Sequence, residues 1–178
     1  DYFRAKGMEF TPIVFDTSEQ TVQGFSSGRC DVLTSDRSQL AALRSKLPDP
    51  NSAVILPNII SKEPLGPVVR QGDDEWFNIV KWVLFVQINA EELGVTSANV
   101  DDMKKSDNPS VKRLLGTDGD MGAKLGLAAD FGYHIIKQVG NYGEMYNRNV
   151  GPGTPLDLER GLNALWSDGG IMYAPPVR

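Results

Sequence analysis

Between Met8 and Leu56, short apolar stretches rich in β-branched residues alternate with helix-length segments, and glycine or proline marks nearly every junction. Met8–Phe15, Cys30–Thr34 and Ala53–Leu56 read as strands, with Pro12 pointing to an edge or an irregularity in the first. The segments between them read as helices. One runs from about Glu19 to Ser26, capped by Asp16, Thr17 or Ser18 and stopped by Gly28. The other runs from Asp36 to Lys46. The order β-α-β-α-β with such short connections predicts parallel strands joined by right-handed crossovers, an α/β architecture.

The opening residues Asp1–Lys6 read as the last turns of a helix that Gly7 ends. Ile59–Lys62 is extended, and Gly66–Val69 reads as one more strand. Asp73, Asp74 and Glu75 then fill the first turn of the strongest helix pattern, where acidic side chains complement the positive end of the dipole. Trp76, Phe77, Ile79, Val80, Val83, Leu84 and Ile88 carry it to about Leu93 and cover more than one face, so most of it is expected to be buried. After Val95 the pattern predicts helices over 97–105, 109–115, 128–149 and 156–166. A glycine-rich loop is expected at 116–126, and no strand after Val69.

Composition removes several function classes. Of 178 residues, 18 are basic and 23 acidic, a net charge of −5, which makes a nucleic-acid partner a poor fit. One cysteine, Cys30, and one histidine, His134, exclude an internal disulfide framework and any multi-cysteine or multi-histidine metal site. The apolar run Ile79–Val86 is broken by Lys81 and too short to cross a bilayer, so no membrane insertion is expected. No nucleophile–base pair can be assembled around His134, which reads as a packed or surface residue. Cys30 reads as a small hydrophobe. Tyr142, Met145 and Tyr146 read as core, and Asp101, Asp102, Lys104 and Lys105 as a solvated face. No cofactor and no metal is called for.

Asp36 is the one position with a chemical argument behind it. It follows the strand ending Thr34-Ser35 and begins a helix. In open α/β sheets, ligands bind in the crevice beyond the carboxyl ends of strands. A carboxylate there can receive an ammonium group in a charge-assisted hydrogen bond. The plainer reading of such a strand-end aspartate is a cap for the helix it begins.

Four stretches carry a family resemblance: GRCDVLTSD (28–36), EPLGPVVRQGDDEWF (63–77), GNYGEMYNRNVGPG (140–153) and GLNALWSDGGIMYAPP (161–176). The first two resemble the extracytoplasmic solute-binding proteins of family 3, the polar amino-acid receptors of ABC importers. The last two resemble its general L-amino-acid-binding branch, with a longer C-terminal region. The resemblance implies a type II periplasmic-binding-protein fold of two hinged α/β lobes. Residues 1–60 would be part of the second lobe with its hinge strand (about 59–64), and residues 61–178 the C-terminal part of the first lobe with a helical extension. It places Asp36 on the ligand's α-ammonium, with Thr34, Ser35 and Arg37 beside the pocket.

Family members carry a first-lobe segment and an opening βα unit that supply an arginine for the ligand carboxylate, an aromatic wall and a Gly-Thr-Thr turn. None of these precedes Asp1, so the sequence resembles the C-terminal portion of a longer receptor. Implied partners are an L-amino acid and the membrane permease of an importer, in the periplasm. Apolar sheet edges left by the missing strands would invite a swapped homodimer. The other readings are a cyclohexadienyl dehydratase-like enzyme on the same fold and an amino-acid-sensing module.

Overall fold

The computed structural model describes all 178 residues, and the chain divides into two compact units. One comprises Asp1–Leu65 with Pro155–Leu158, the other Gly66–Thr154 with Glu159–Arg178.

The first unit holds a single-turn helix α1 (Tyr2–Ala5), then α2 (Ser18–Ser26) and α3 (Arg37–Arg44). The α2 start follows the expected capping chemistry, since the Thr17 side chain accepts from the Gln20 backbone N–H at 3.3 Å. Phe15 lies against Gly24 on α2, with the Arg29 guanidinium 5.4 Å from the centre of its ring. The expected strands take no part in a ladder. Residues 9–16, 31–35 and 53–62 form no backbone–backbone hydrogen bond. A helix closes its bonds within itself, but a strand needs another strand beside it. Buried apolar side chains are correspondingly few in this unit: Ala41 and Leu158.

The second unit is built on α4 (Asp74–Glu92), the longest helix. Asp73 caps it by accepting from the Trp76 backbone N–H at 3.1 Å. Burial is confined to its second half, Val86 to Ala90, whereas Trp76 and Phe77 are exposed, so the expectation of a mostly buried helix holds for one end only. Against α4 pack α6 (Pro109–Leu115), α8 (Phe131–Val139) and α9 (Tyr142–Asn149), with α5 (Val100–Met103) on α8, while α7 (Met121–Lys124, inside the segment expected to be a loop) sets Met121 against the same core. Val86, Ala90, Val95, Val100, Val111, Leu114, Leu115, Phe131 and Ile136 form the main core.

The single helix expected over 128–149 is two. Gly140 takes φ +84°, ψ 179°, which ends α8. Asn141 then opens α9 with a capping box: its side chain accepts from the Glu144 N–H, and the Glu144 carboxylate accepts from the Asn141 N–H, both at 2.9 Å. The same carboxylate accepts from the Ser97 hydroxyl at 2.6 Å and from the Ser97 backbone N–H. Asn141 also donates to the Val95 carbonyl at 2.9 Å.

The helix expected over 156–166 is absent. Asp157 sits at φ 48°, outside the helical region, and only two 3₁₀ turns follow, Gly161–Asn163 and Trp166–Asp168. An isolated bridge between Leu165 and Met172 then ties the tail to itself. Asn89, buried on α4, donates to the Pro175 carbonyl at 2.9 Å and so holds the last residues to the core helix.

Two outcomes test this packing. A methyl group at Gly132 on α8 would collide with the Leu114 carbonyl of α6. Gly132→Ala is therefore expected to destabilise by about 1–3 kcal/mol, read as a drop of roughly 2–4 °C in Tm per kcal/mol. For Glu144, burial pushes the carboxyl up, but the hydrogen bonds from Ser97 and Asn141, with nearby Arg148, outweigh it and hold the group below its ordinary value. A depressed carboxyl contributes stability above its unfolded value that is lost as pH falls through the lower folded value. Thermal unfolding followed from neutral pH to below about pH 4 should show that loss, and Glu144→Gln should flatten it.

Candidate functional site

Asp36 stands where the irregular segment 31–35 turns into α3. Its backbone (φ −56°, ψ 141°) occupies the N-cap position, and its carbonyl accepts from the Leu40 N–H at 2.8 Å. The carboxylate caps nothing. Thr17, Asp73, Asn108 and Asn141, by contrast, each accept a backbone N–H at the start of their helices. Of the two readings of Asp36 that the sequence leaves open, the capping bond is not made. The side chain is half-buried and forms no ion pair or hydrogen bond, although the first turn of α3 leaves N–H groups unpaired close by. An ionised carboxylate accepts hydrogen bonds only, so this group is available to a donor from outside the chain.

Thr34, Ser35 and Arg37 flank it and are exposed. The Ser35 hydroxyl donates to the Gln39 side-chain carbonyl, one turn into α3. That bond fixes Ser35 on the helix start beside Asp36. Two surface hollows, one lined by Met8–Thr11 and the other by Arg70–Glu75, take in none of these four residues. Cys30 is a half-buried free thiol. His134 lies on the surface of α8, 3.3 Å from Asp130 one turn back.

The second unit contains a polar assembly that sequence reading passes over. The Arg160 guanidinium donates to both Glu91 carboxylate oxygens, at 2.9 and 3.1 Å, and to the Asn163 carbonyl at 2.8 Å. Its central carbon lies 5.4 Å from the ring centre of Tyr142 and 5.2 Å from that of Tyr146. The tyrosines expected to be plain core thus form the aromatic bed of an ion pair. No periodicity links positions 91 and 160, which is why the pattern along the chain is silent about them. Asp101, expected to be merely solvated, accepts from Lys137 at 2.6 Å and from the Tyr133 hydroxyl at 2.9 Å. The bond from Lys137, then that from Tyr133, holds its carboxyl below the usual range.

No protein-family model matches the chain. It is 55% identical over 180 residues to the general L-amino acid-binding periplasmic protein AapJ of Rhizobium johnstonii, all of this chain aligning with 53% of that protein. It is 55% identical over 179 residues to the putative amino-acid ABC transporter-binding protein YhdW of Escherichia coli, again over all of this chain and 52% of the relative. It is 49% identical over 179 residues to the glutamate/glutamine/aspartate/asparagine-binding protein BztA of Rhodobacter capsulatus, spanning 53% of it. A solved structure of an ABC transporter/periplasmic binding protein from Brucella ovis with glutathione bound matches with a TM-score of 0.90 at 52% identity. The match covers 99% of this chain and 56% of that one.

The chain is a homologue of amino-acid ABC transporter-binding proteins, and its fold is part of a periplasmic-binding-protein fold. It spans about half the length of the curated relatives it matches. No helix is long and apolar enough to cross a membrane.

Arg160→Ala removes a two-pronged donor from the Glu91 carboxylate and the cation from both tyrosine rings. The expected cost is about 1–3 kcal/mol, measured by chemical denaturation. Arg160→Lys should restore only part of it, because an ammonium lacks the planar fork.

Proposed function

We propose that this chain is part of a periplasmic solute receptor that binds L-amino acids and delivers them to the permease of an ABC importer, acting by binding and not by turnover. Residues 1–60 supply part of the second α/β lobe with its hinge strand (about 59–64), and residues 61–178 the C-terminal part of the first lobe with its helical extension. Asp36 receives the ligand's α-ammonium, Thr34 and Ser35 border it with hydroxyls, and Arg37 borders it with its cation. The observation that carries this reading is the uncommitted, half-buried Asp36 carboxylate at the start of α3.

The ligands named for the relatives support it. AapJ is named for general L-amino acids, BztA for glutamate, glutamine, aspartate and asparagine, and the Brucella protein holds glutathione. All of these ligands carry an α-ammonium beside an α-carboxylate, the glutathione through its γ-linked glutamyl end. A fixed carboxylate reads the first of those two groups whatever follows it.

Isothermal titration with a panel of L-amino acids tests the reading in two steps. A receptor lacking the partner of one ligand charge loses about 2–5 kcal/mol, or about 1.5–3.7 decades of affinity. These 178 residues by themselves are therefore expected to bind weakly or not at all, and micromolar binding by a monomer would show that they carry the whole site. In a receptor of full family length, Asp36→Ala should abolish binding and Asp36→Asn should leave little. Normal affinity in Asp36→Ala would remove the residue from the site.

A further inference from the structure

We propose that the Asp118–Gly119 bond, in the loop joining α6 to α7, is a modification site at which the main chain isomerises to the isoaspartyl form. Asp-Gly occurs twice, at 118–119 and at 168–169, and both aspartates are exposed. Hydrogen bonding around the two glycine nitrogens singles out the first.

The step uses only the chain's own groups and water. The Gly119 nitrogen attacks Cγ of the Asp118 carboxyl group, an N–Cγ bond forms, and the amide proton leaves with the carboxyl hydroxyl as water. The resulting five-membered imide takes up one water in return. Addition at Cγ restores aspartate. Addition at the Asp118 main-chain carbonyl breaks that carbon's bond to the Gly119 nitrogen and leaves the chain running through Cβ and Cγ. Mass and oxidation state are unchanged, and a main-chain α-carboxylate is set free on the loop. That carboxylate is the substrate group for a methyltransferase selective for isoaspartyl residues.

Attack requires a nitrogen that holds no hydrogen bond, room around it, and a carboxyl group free to swing. All three are present at 118–119. The Thr117 and Asp118 N–H groups close on the Lys112 carbonyl at 3.0 and 3.3 Å, but the Gly119 and Asp120 N–H groups bond nothing. A Cβ at position 119 would meet only Arg113 Cγ, at 3.7 Å. Asp107 and Asp120, the nearest acidic residues before and after, pair with Lys112 at 3.6 Å and Lys124 at 3.0 Å, whereas the Asp118 carboxylate takes no partner.

At 168–169 the same dipeptide is tied down. The Gly169 N–H donates to the Trp166 carbonyl at 3.4 Å, and the Asp168 and Gly170 N–H groups both donate to the Leu165 carbonyl at 2.9 Å. The Asp168 carboxylate accepts from the Ser167 hydroxyl at 3.3 Å. This turn must open before its nitrogen can attack, and the free energy of opening enters the rate directly. The chemistry lies wholly within the second unit and is independent of Asp36 and of any bound amino acid.

The test ages the purified chain in mildly acidic buffer, where part of the carboxyl population carries the proton that leaves with the water. Peptide mapping with electron-transfer fragmentation then distinguishes isoaspartate from aspartate at each position. Isoaspartate is expected to accumulate at 118 about tenfold or more faster than at 168, which corresponds to about 1.4 kcal/mol of turn opening. In urea, where the turn is gone, the two sites should react at similar rates. Asp118→Glu, whose imide ring would need six members, should remove the signal at 118 and leave that at 168 unchanged. No isoaspartate at 118, equal rates in the folded chain, or a preference for 118 that persists undiminished in urea would each overturn the proposal.

Discussion

Every strand needs a neighbour, and that requirement separates the two halves of this chain. Helices satisfy their own backbone groups, so a helical region can bury an apolar stripe with whatever helices lie nearby. The second unit does this: the last turns of α4 pack among α6, α8 and α9, and Leu114, Leu115 and Ile136 are fully enclosed. The first unit alternates helices with extended segments that pair with no other backbone. Its two longer helices form and are bounded where their residues dictate, yet Val14, Val54 and Leu56 remain in water. Half of a fold supplies local structure in full and tertiary structure only in part.

The polar groups of the second unit show how its irregular segments are held without a sheet. Asn89, Asn141 and Glu144 each reach from a helix to backbone of a distant segment, at Pro175, Val95 and Ser97. Arg160 does the same for the tail, anchoring it to Glu91 on α4. Each such contact satisfies a loop that has no ladder of its own, and satisfied polar groups in low dielectric fix one geometry more sharply than apolar packing does.

Helices with local start and stop signals were legible in the sequence. Thr17 before α2, Asp73 before α4 and the proline at the start of α6 all lie where capping rules put them. Gly140 was legible as a weakness but not as a full break, because the break depends on a positive φ that Asn141 and Glu144 then lock in place. The tail was misread because Asp157 adopts a left-handed backbone that residue type alone does not announce. Strand character was legible at 53–56, whereas the absence of a ladder was not, since pairing is a long-range property that no local pattern carries. At the candidate site, the position of Asp36 at a helix start follows from the pattern. That its carboxylate leaves the helix uncapped is a matter of side-chain geometry, invisible to spacing.

Glu144 is shared between the start of α9 and the turn at Ser97. Because one carboxylate closes both, unwinding the start of α9 also strands the Ser97 donors. The carboxylate thereby ties together two segments 47 positions apart along the chain.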